Sequence, residues 1–271
     1  MIKTLIFRTL RDQKITFFYW SLGISLISLL LMAFWPVIES EADLMQQYMD
    51  ALPEEMFAIL GGTSNITTPE GYLNIELMGF IAPIVFMIYS THLAASFIGG
   101  EEEKGTLEII LSLPITRYRF IAGKYISFVI ILLIFAIMFG LVLMIGSNLF
   151  SMGIQNLFLF LASINVMINA LVIGSISFFV AAYTGKRNLA MAVGAAWGIG
   201  GNILVGLTSL VDSIEPIKYL IPFYYYKGYY QDAGEDVLTH GLALLPILGL
   251  IFSAVILFLG SLIIFSRRDI K

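Results

Sequence analysis

Side chains able to do chemistry are scarce in this chain, and their spacing excludes most reactions. The densest ionisable cluster is Glu101-Glu102-Glu103-Lys104. Adjacent carboxylates act as acids, bases or metal ligands only beside a suitable partner. The glutamate-type intramembrane protease pattern, Glu-Glu-x-x-x-Arg, fails here, because Glu101-Glu102 leads to Thr106 and Glu102-Glu103 to Leu107. His92 and His240 stand far apart, and no H-E-x-x-H is present to hold zinc. Gly123-Lys124-Tyr125 and Gly185-Lys186-Arg187 lack the glycine spacing and the hydroxyl of a phosphate-cradling G-x-x-x-x-G-K-[ST] loop. There is no Asp-rich motif for diphosphates. The chain has no Cys, which removes thiolate nucleophiles, zinc-thiolate sites, iron-sulfur clusters and disulfides together. The expectation is a protein that is not an enzyme, with no catalytic residue, cofactor site or metal site of its own.

The elements that carry these residues are apolar. Of 271 residues, 59% are hydrophobic and 13% charged, with mean hydropathy +0.90. A soluble domain carries roughly a quarter charged residues, so this surface is not built for water. The 21 Phe, 13 Tyr and 24 Gly suit closely packed membrane helices with interfacial aromatic belts. Spanning a hydrocarbon core of ~30 Å at ~1.5 Å per residue takes about 20 apolar residues. Six stretches qualify: 15–35, 77–99, 125–150, 157–183, 189–211 and 242–265, none containing Asp, Glu, Lys or Arg. The break between the third and fourth rests on Gly146, Ser147, Asn148, Ser151, Gly153, Gln155 and Asn156. Thirteen of the fifteen basic residues fall on one side, with only Lys218 and Lys227 on the other. The positive-inside rule then places both termini in the cytoplasm. The first span reads as an uncleaved anchor: its apolar run exceeds a signal peptide's, and no small-x-small site follows Trp35-Pro36.

With the remaining segments the chain makes one transmembrane domain over 1–271. Residues 1–14 form an amphipathic interfacial helix, with Ile2, Leu5, Ile6 and Leu10 on one face and Lys3, Thr4, Arg8 and Arg11 on the other. Residues 37–76 are an acidic extracytoplasmic segment. Short helices there are divided by Pro53 and stopped by Gly61-Gly62, and Thr68-Pro69-Glu70 reads as a helix start, with a capping hydroxyl and Pro at the first position. Residues 212–241 hold the Tyr-rich run Tyr224-Tyr225-Tyr226, Tyr229, Tyr230, either a partly inserted element or an interfacial loop.

Within the spans, His92 is the one histidine, and it reads as a packing residue rather than a proton relay. Asn165 and Asn169, one turn apart, either line a path or bond across helices. Gly194 and Gly198, at i and i+4, allow close helix approach.

The cytoplasmic loop 100–124 holds the most pointed signal. Thr106 is placed to cap a short helix ended by Pro114, presenting Leu107, Ile110 and Leu111 as an apolar ridge flanked by Glu108 and Arg117. Such a helix either docks into a groove on a soluble partner or packs on the chain's own span ends. The run Glu103-Lys104-Gly105-Thr106-Leu107-Glu108, then Leu111-Ser112-Leu113-Pro114-Ile115-Thr116-Arg117 and Gly123-Lys124, resembles the signature of ABC-type exporter permeases, the type 2 membrane-subunit family. Leu52-Pro53-Glu54 with Gly61, Glu70-Gly71-Tyr72-Leu73, Pro222-Phe223-Tyr224-Tyr225 and Phe265-Ser266-Arg267-Arg268-Asp269-Ile270 are similar to the same family.

The resemblance implies an all-α integral membrane protein with six spans, an interfacial helix before the first, and a coupling helix over 106–112. It implies two permease copies, a homodimer in the plasma membrane, each docking one ABC ATPase subunit that carries the ATP and Mg, and no nucleic-acid partner. Glu103, Gly105, Thr106, Leu107, Glu108, Leu111, Pro114 and Arg117 are its ATPase-coupling residues here. The cargo expected of such walls is amphipathic or hydrophobic, because they offer few charged partners. A membrane subunit that transmits force to an outer partner without transport is the alternative.

Overall fold

The computed structural model describes residues 2–44, 47, 66–112, 115–208 and 212–268. Among them the secondary structure is helical, without strands. The short helices expected on either side of Pro53, the stop at Gly61-Gly62, and Pro114 lie outside the described residues, as does half of the 37–76 segment.

Helix α1 (Ile2–Asp12) precedes α2 (Lys14–Ala33), which continues after a turn into α3 (Trp35–Ser40). Helix α4 (Pro69–Leu73) opens on Thr68, whose Oγ1 accepts from the Gly71 N–H at 3.2 Å, with Pro69 at the first helical position. The expected helix start is therefore present. A π-helical stretch, Asn74–Ile81, joins α4 to α5 (Ala82–Glu103). Pro83 at the start of α5 has no N–H to donate, and the wider π turns before it take up the interrupted hydrogen-bond ladder. The chain goes on through α6 (Thr106–Leu111), α7 (Arg117–Leu149), α8 (Asn156–Thr184) and α9 (Arg187–Thr208). After a 3-10 helix (Asp212–Leu220) and a π turn (Tyr224–Gly228) come α10 (Tyr229–Ala233), α11 (Val237–His240) and α12 (Leu244–Arg267).

Six stretches are long and apolar enough to cross a membrane: Lys14–Ser40, Pro69–Glu103, Arg117–Leu149, Asn156–Thr184, Arg187–Thr208 and Leu244–Arg267. They coincide with the six expected spans. The break before the fourth falls where small and polar residues predicted it, with Ser151 and Gly153 both at positive φ.

Helices α5 and α8 form the centre. Helix α8 packs on α5, α7, α9 and α12, while α2, α9 and α12 keep one side outward. The centre is filled by aromatic rings: Phe86 and Tyr89 of α5 meet Phe135 of α7 at centroid distances of 4.6 and 4.7 Å. Lipid tails are as apolar as these side chains, so the hydrophobic effect does not drive helix against helix inside a bilayer; packing and hydrogen bonds do. Ser90 Oγ donates to the Ala170 carbonyl at 2.6 Å, and the Tyr125 hydroxyl lies 2.7 Å from Ser175 Oγ. Helix α1, α6, the end of α12 and the basic residues Arg117, Lys124, Arg187 and Arg268 gather at one end of the bundle, called here the basic end.

Candidate functional site: a carboxylate hub at the basic end

Successive residues of an α-helix point about 100° apart. Three consecutive carboxylates at the end of α5 therefore fan out toward three different neighbours. Glu101 Oε1 accepts from Lys124 Nζ of α7 at 2.8 Å, and its Oε2 lies 2.5 Å from Thr106 Oγ1 at the start of α6. Glu102 pairs with the Arg268 guanidinium just beyond α12. Arg268 also donates to the Ala182 carbonyl at the end of α8, at 3.0 Å. Glu103 Oε1 accepts from the backbone N–H of Arg187 at 3.2 Å, at the positive N-terminal end of α9. Arg117, the first residue of α7, donates from Nη1 to the Arg268 carbonyl at 2.5 Å. One turn of helix thus ties α6, α7, α8, α9 and the end of α12 together.

Lys124 is only 4% exposed. A cation so placed is costly unless paired, and Glu101 supplies the pair. The rings of Phe97 and Phe120 lie 5.6 and 5.7 Å from its ammonium. Two left-handed glycines make the approach possible. Gly105 (φ +66°) turns the chain between α5 and α6, its N–H donating to the Glu102 carbonyl at 2.9 Å. Gly185 (φ +71°) ends α8 where Arg268 and Glu102 meet, and a Cβ there would collide with both.

The structure corrects one detail of the expected coupling helix. Thr106 is not its cap: Gly105 holds that position, and the Thr106 hydroxyl turns back to Glu101. Of the two readings of the apolar ridge, packing on the chain's own span ends is the one observed for Leu107 and Ile110, which are buried. The reason is the left-handed turn at Gly105, which folds the apolar face of α6 back onto α5. Glu108 and Ile109 point away from the bundle, Ile109 at 68% exposed. The Leu111 side chain and Pro114 lie outside the described residues.

The remaining predicted residues are dispersed. His92 Nδ1 lies 3.5 Å from Arg187 Nη2 on the α5–α9 seam, near the hub. Gly194 and Gly198 face the chain's own helices: a Cβ at Gly194 would collide with Ser177 and Thr91, and one at Gly198 would lie 2.8 Å from Met87 Sδ. They fit α9 onto α5 and α8. Asn165 Nδ2 donates to the Tyr226 carbonyl at 3.1 Å, whereas Asn169 is fully buried with neither amide atom bonded.

At the opposite end the Tyr-rich segment is wedged into the bundle. The Tyr226 hydroxyl donates to the Met78 carbonyl at 2.6 Å, and the Ala243 N–H donates to the Tyr230 hydroxyl at 3.0 Å. Ile221, Phe223, Tyr226 and Tyr230 are buried. The segment is helical in parts and packs against the bundle rather than standing clear of it.

The sequence singled out Glu101 and Glu102 only as candidate acids and did not pair them with Lys124 and Arg268. The available signal was an anomaly: three acids in a row on the side that gathers thirteen of fifteen cations. The geometry of the hub is suited to passing a displacement of α6 into the spans.

The family model described as ABC-2 family transporter protein matches residues 19–270. No curated protein matches the chain. Membrane subunits of that family are generally non-catalytic permeases that pair with an ABC ATPase. With the match running from the first span to the last residue but one, over six membrane-competent helices, this multi-pass membrane protein belongs to the ABC-2 family as a transporter permease subunit.

Proposed function

We propose that the chain is the permease of an ATP-driven exporter in the plasma membrane, moving an amphipathic or hydrophobic cargo. Two copies pair, and each docks one ATPase subunit, which carries the ATP and Mg. The basic end is the cytoplasmic end. The carrying observation is the tethering of α6: a six-residue helix with Glu108 and Ile109 outward, fixed by Thr106 and the three glutamates to the ends of four spans. The ATPase grips this outward face, with Lys104 and Ser112 beside it, and its closure on ATP displaces α6. Glu101 and Glu103 carry that displacement to α7 and α9 directly. Glu102 and Arg268 carry it to α8 and α12. Leu107 serves by seating α6 on the spans rather than by touching the ATPase.

Co-purification with the partner ATPase tests this reading. Glu108→Arg changes the outward face and should lose the ATPase while the permease stays folded. Gly105→Pro forbids the positive φ and removes the N–H bonded to Glu102, and should also lose it. Stable ATPase binding by both variants would refute the docking assignment.

A further inference from the structure

A cleft of about 790 Å³ opens sideways between the Tyr-rich segment and the last span, at the end opposite the hub. Four tyrosines, Tyr219, Tyr224, Tyr225 and Tyr229, roof it. The floor is the outward face of α12 from Leu245 to Val255, with Leu245 and Phe252 more than half exposed. At ~1.5 Å per residue this floor is about 15 Å long, the depth of one leaflet of a ~30 Å core.

The polarity of the cleft follows its depth. The Tyr225 hydroxyl donates to the Tyr219 carbonyl at 2.9 Å, and the Tyr224 hydroxyl to Asp232 Oδ2 at 3.0 Å. Lys218 Nζ bridges Asp232 at 2.8 Å and Glu215 at 3.1 Å. Through Tyr224 this charged network is bonded to the roof of the cleft, above a floor of apolar side chains. Gly249 keeps the floor low: a Cβ there would lie 3.9 Å from the Tyr225 ring, an ordinary contact. Packing therefore does not demand glycine at 249, whereas a large side chain would fill the cleft.

We infer that this cleft binds a single acyl chain of a membrane lipid, tail along α12 and headgroup at the Lys218–Asp232 network. A polar mouth over an apolar trough one leaflet deep matches a lipid end to end. The inference concerns the permease alone and does not depend on cargo export or on the ATPase, so the two readings fail separately.

The experiment uses the purified full chain in phosphatidylcholine nanodiscs containing a trace of lysophosphatidylcholine with a diazirine in its acyl chain. Adducts are mapped after illumination. Label should concentrate on the peptide carrying Leu248, Phe252 and Val255. It should fall about tenfold, relative to label on the lipid-facing Leu26 and Leu30, in Gly249→Trp, which blocks the middle, and in Val255→Trp, which blocks the deep end. Melting temperatures identify a variant that has not folded, and the other then decides. Label that stays in constant proportion to Leu26 and Leu30 in the folded variant would mean ordinary annular lipid and overturn the proposal. So would efficient disulfide dimerisation of Phe252→Cys in the otherwise Cys-free chain, because a second copy would then occupy the face.

Discussion

Gly99 and Gly100 are neighbours in α5, yet their replacement by Ala should have opposite consequences. A Cβ on Gly99 would lie 2.6 Å from the Arg187 backbone nitrogen and 2.8 Å from its Cα. Carbon atoms rest at about 3.5–4.0 Å, so α5 and the start of α9 would have to separate by roughly 1 Å. No flexible side chain can yield instead, because the obstacle is backbone. Overpacking of this kind costs about 1–3 kcal/mol. The same separation would carry the Arg187 N–H, now 3.2 Å from Glu103, beyond hydrogen-bond reach. At Gly100 the nearest atoms to a Cβ are Ser96 Cβ at 3.6 Å and Arg187 Cδ at 3.9 Å, both ordinary contacts. Ala there gains up to about 1 kcal/mol of helix propensity. Gly99→Ala gains the same propensity, so the two variants should differ by the overpacking cost, about 1–3 kcal/mol, with Gly100→Ala the more stable. Thermal unfolding in nanodiscs at one fixed scan rate ranks them, since membrane proteins often unfold irreversibly. Hydrogen exchange at the Arg187 amide should rise in Gly99→Ala alone. A Gly99→Ala protein that melts at or above Gly100→Ala would refute the close-approach argument.

Three further outcomes are expected. Glu101→Gln leaves Lys124 buried without its counter-charge and should cost about 3–5 kcal/mol, much of it recovered by adding Lys124→Met; a double-mutant cycle by thermal melting that shows no coupling would refute the pair. Asn169→Leu removes a fully buried amide with no bonded partner and should stabilise by about 1–3 kcal/mol, whereas Asn165→Leu loses the bond to Tyr226 and should destabilise; a lower melting temperature for Asn169→Leu would show that its amide is satisfied. Burial alone pushes the Lys227 pKa down to about 8. Because the unfolded chain then binds the extra proton between pH ~8 and ~10.4, stability should rise with pH up to the range where tyrosines ionise, by about 1.4 kcal/mol per unit of pKa relieved. Lys227→Met should flatten that rise, and an unchanged pH profile would contradict the burial argument. Tyr224, raised to about 12 by burial and by Asp232 beside it, stays protonated through this window.

The sequence by itself determined the six spans, the break after α7, the Thr68 cap and the existence of α6. These are local properties: hydrophobic run length, capping chemistry and the cost of charge in lipid act on neighbours in the chain. What α6 presents to its surroundings was decided elsewhere, because a left-handed turn at one glycine sets which side of a short helix meets the bundle. The same holds for the glutamate run, which reads as one acidic patch until α7, α9 and the chain terminus arrive around it. Glu102 and Arg268 lie 166 residues apart, and Tyr226 and the Met78 carbonyl 148. Gly194 and Gly198 announce a close approach but not its partner, which proved to be α5 and α8 of the same chain. Helix formation is written in sequence neighbours, whereas the direction of a face depends on which distant helix is packed beside it.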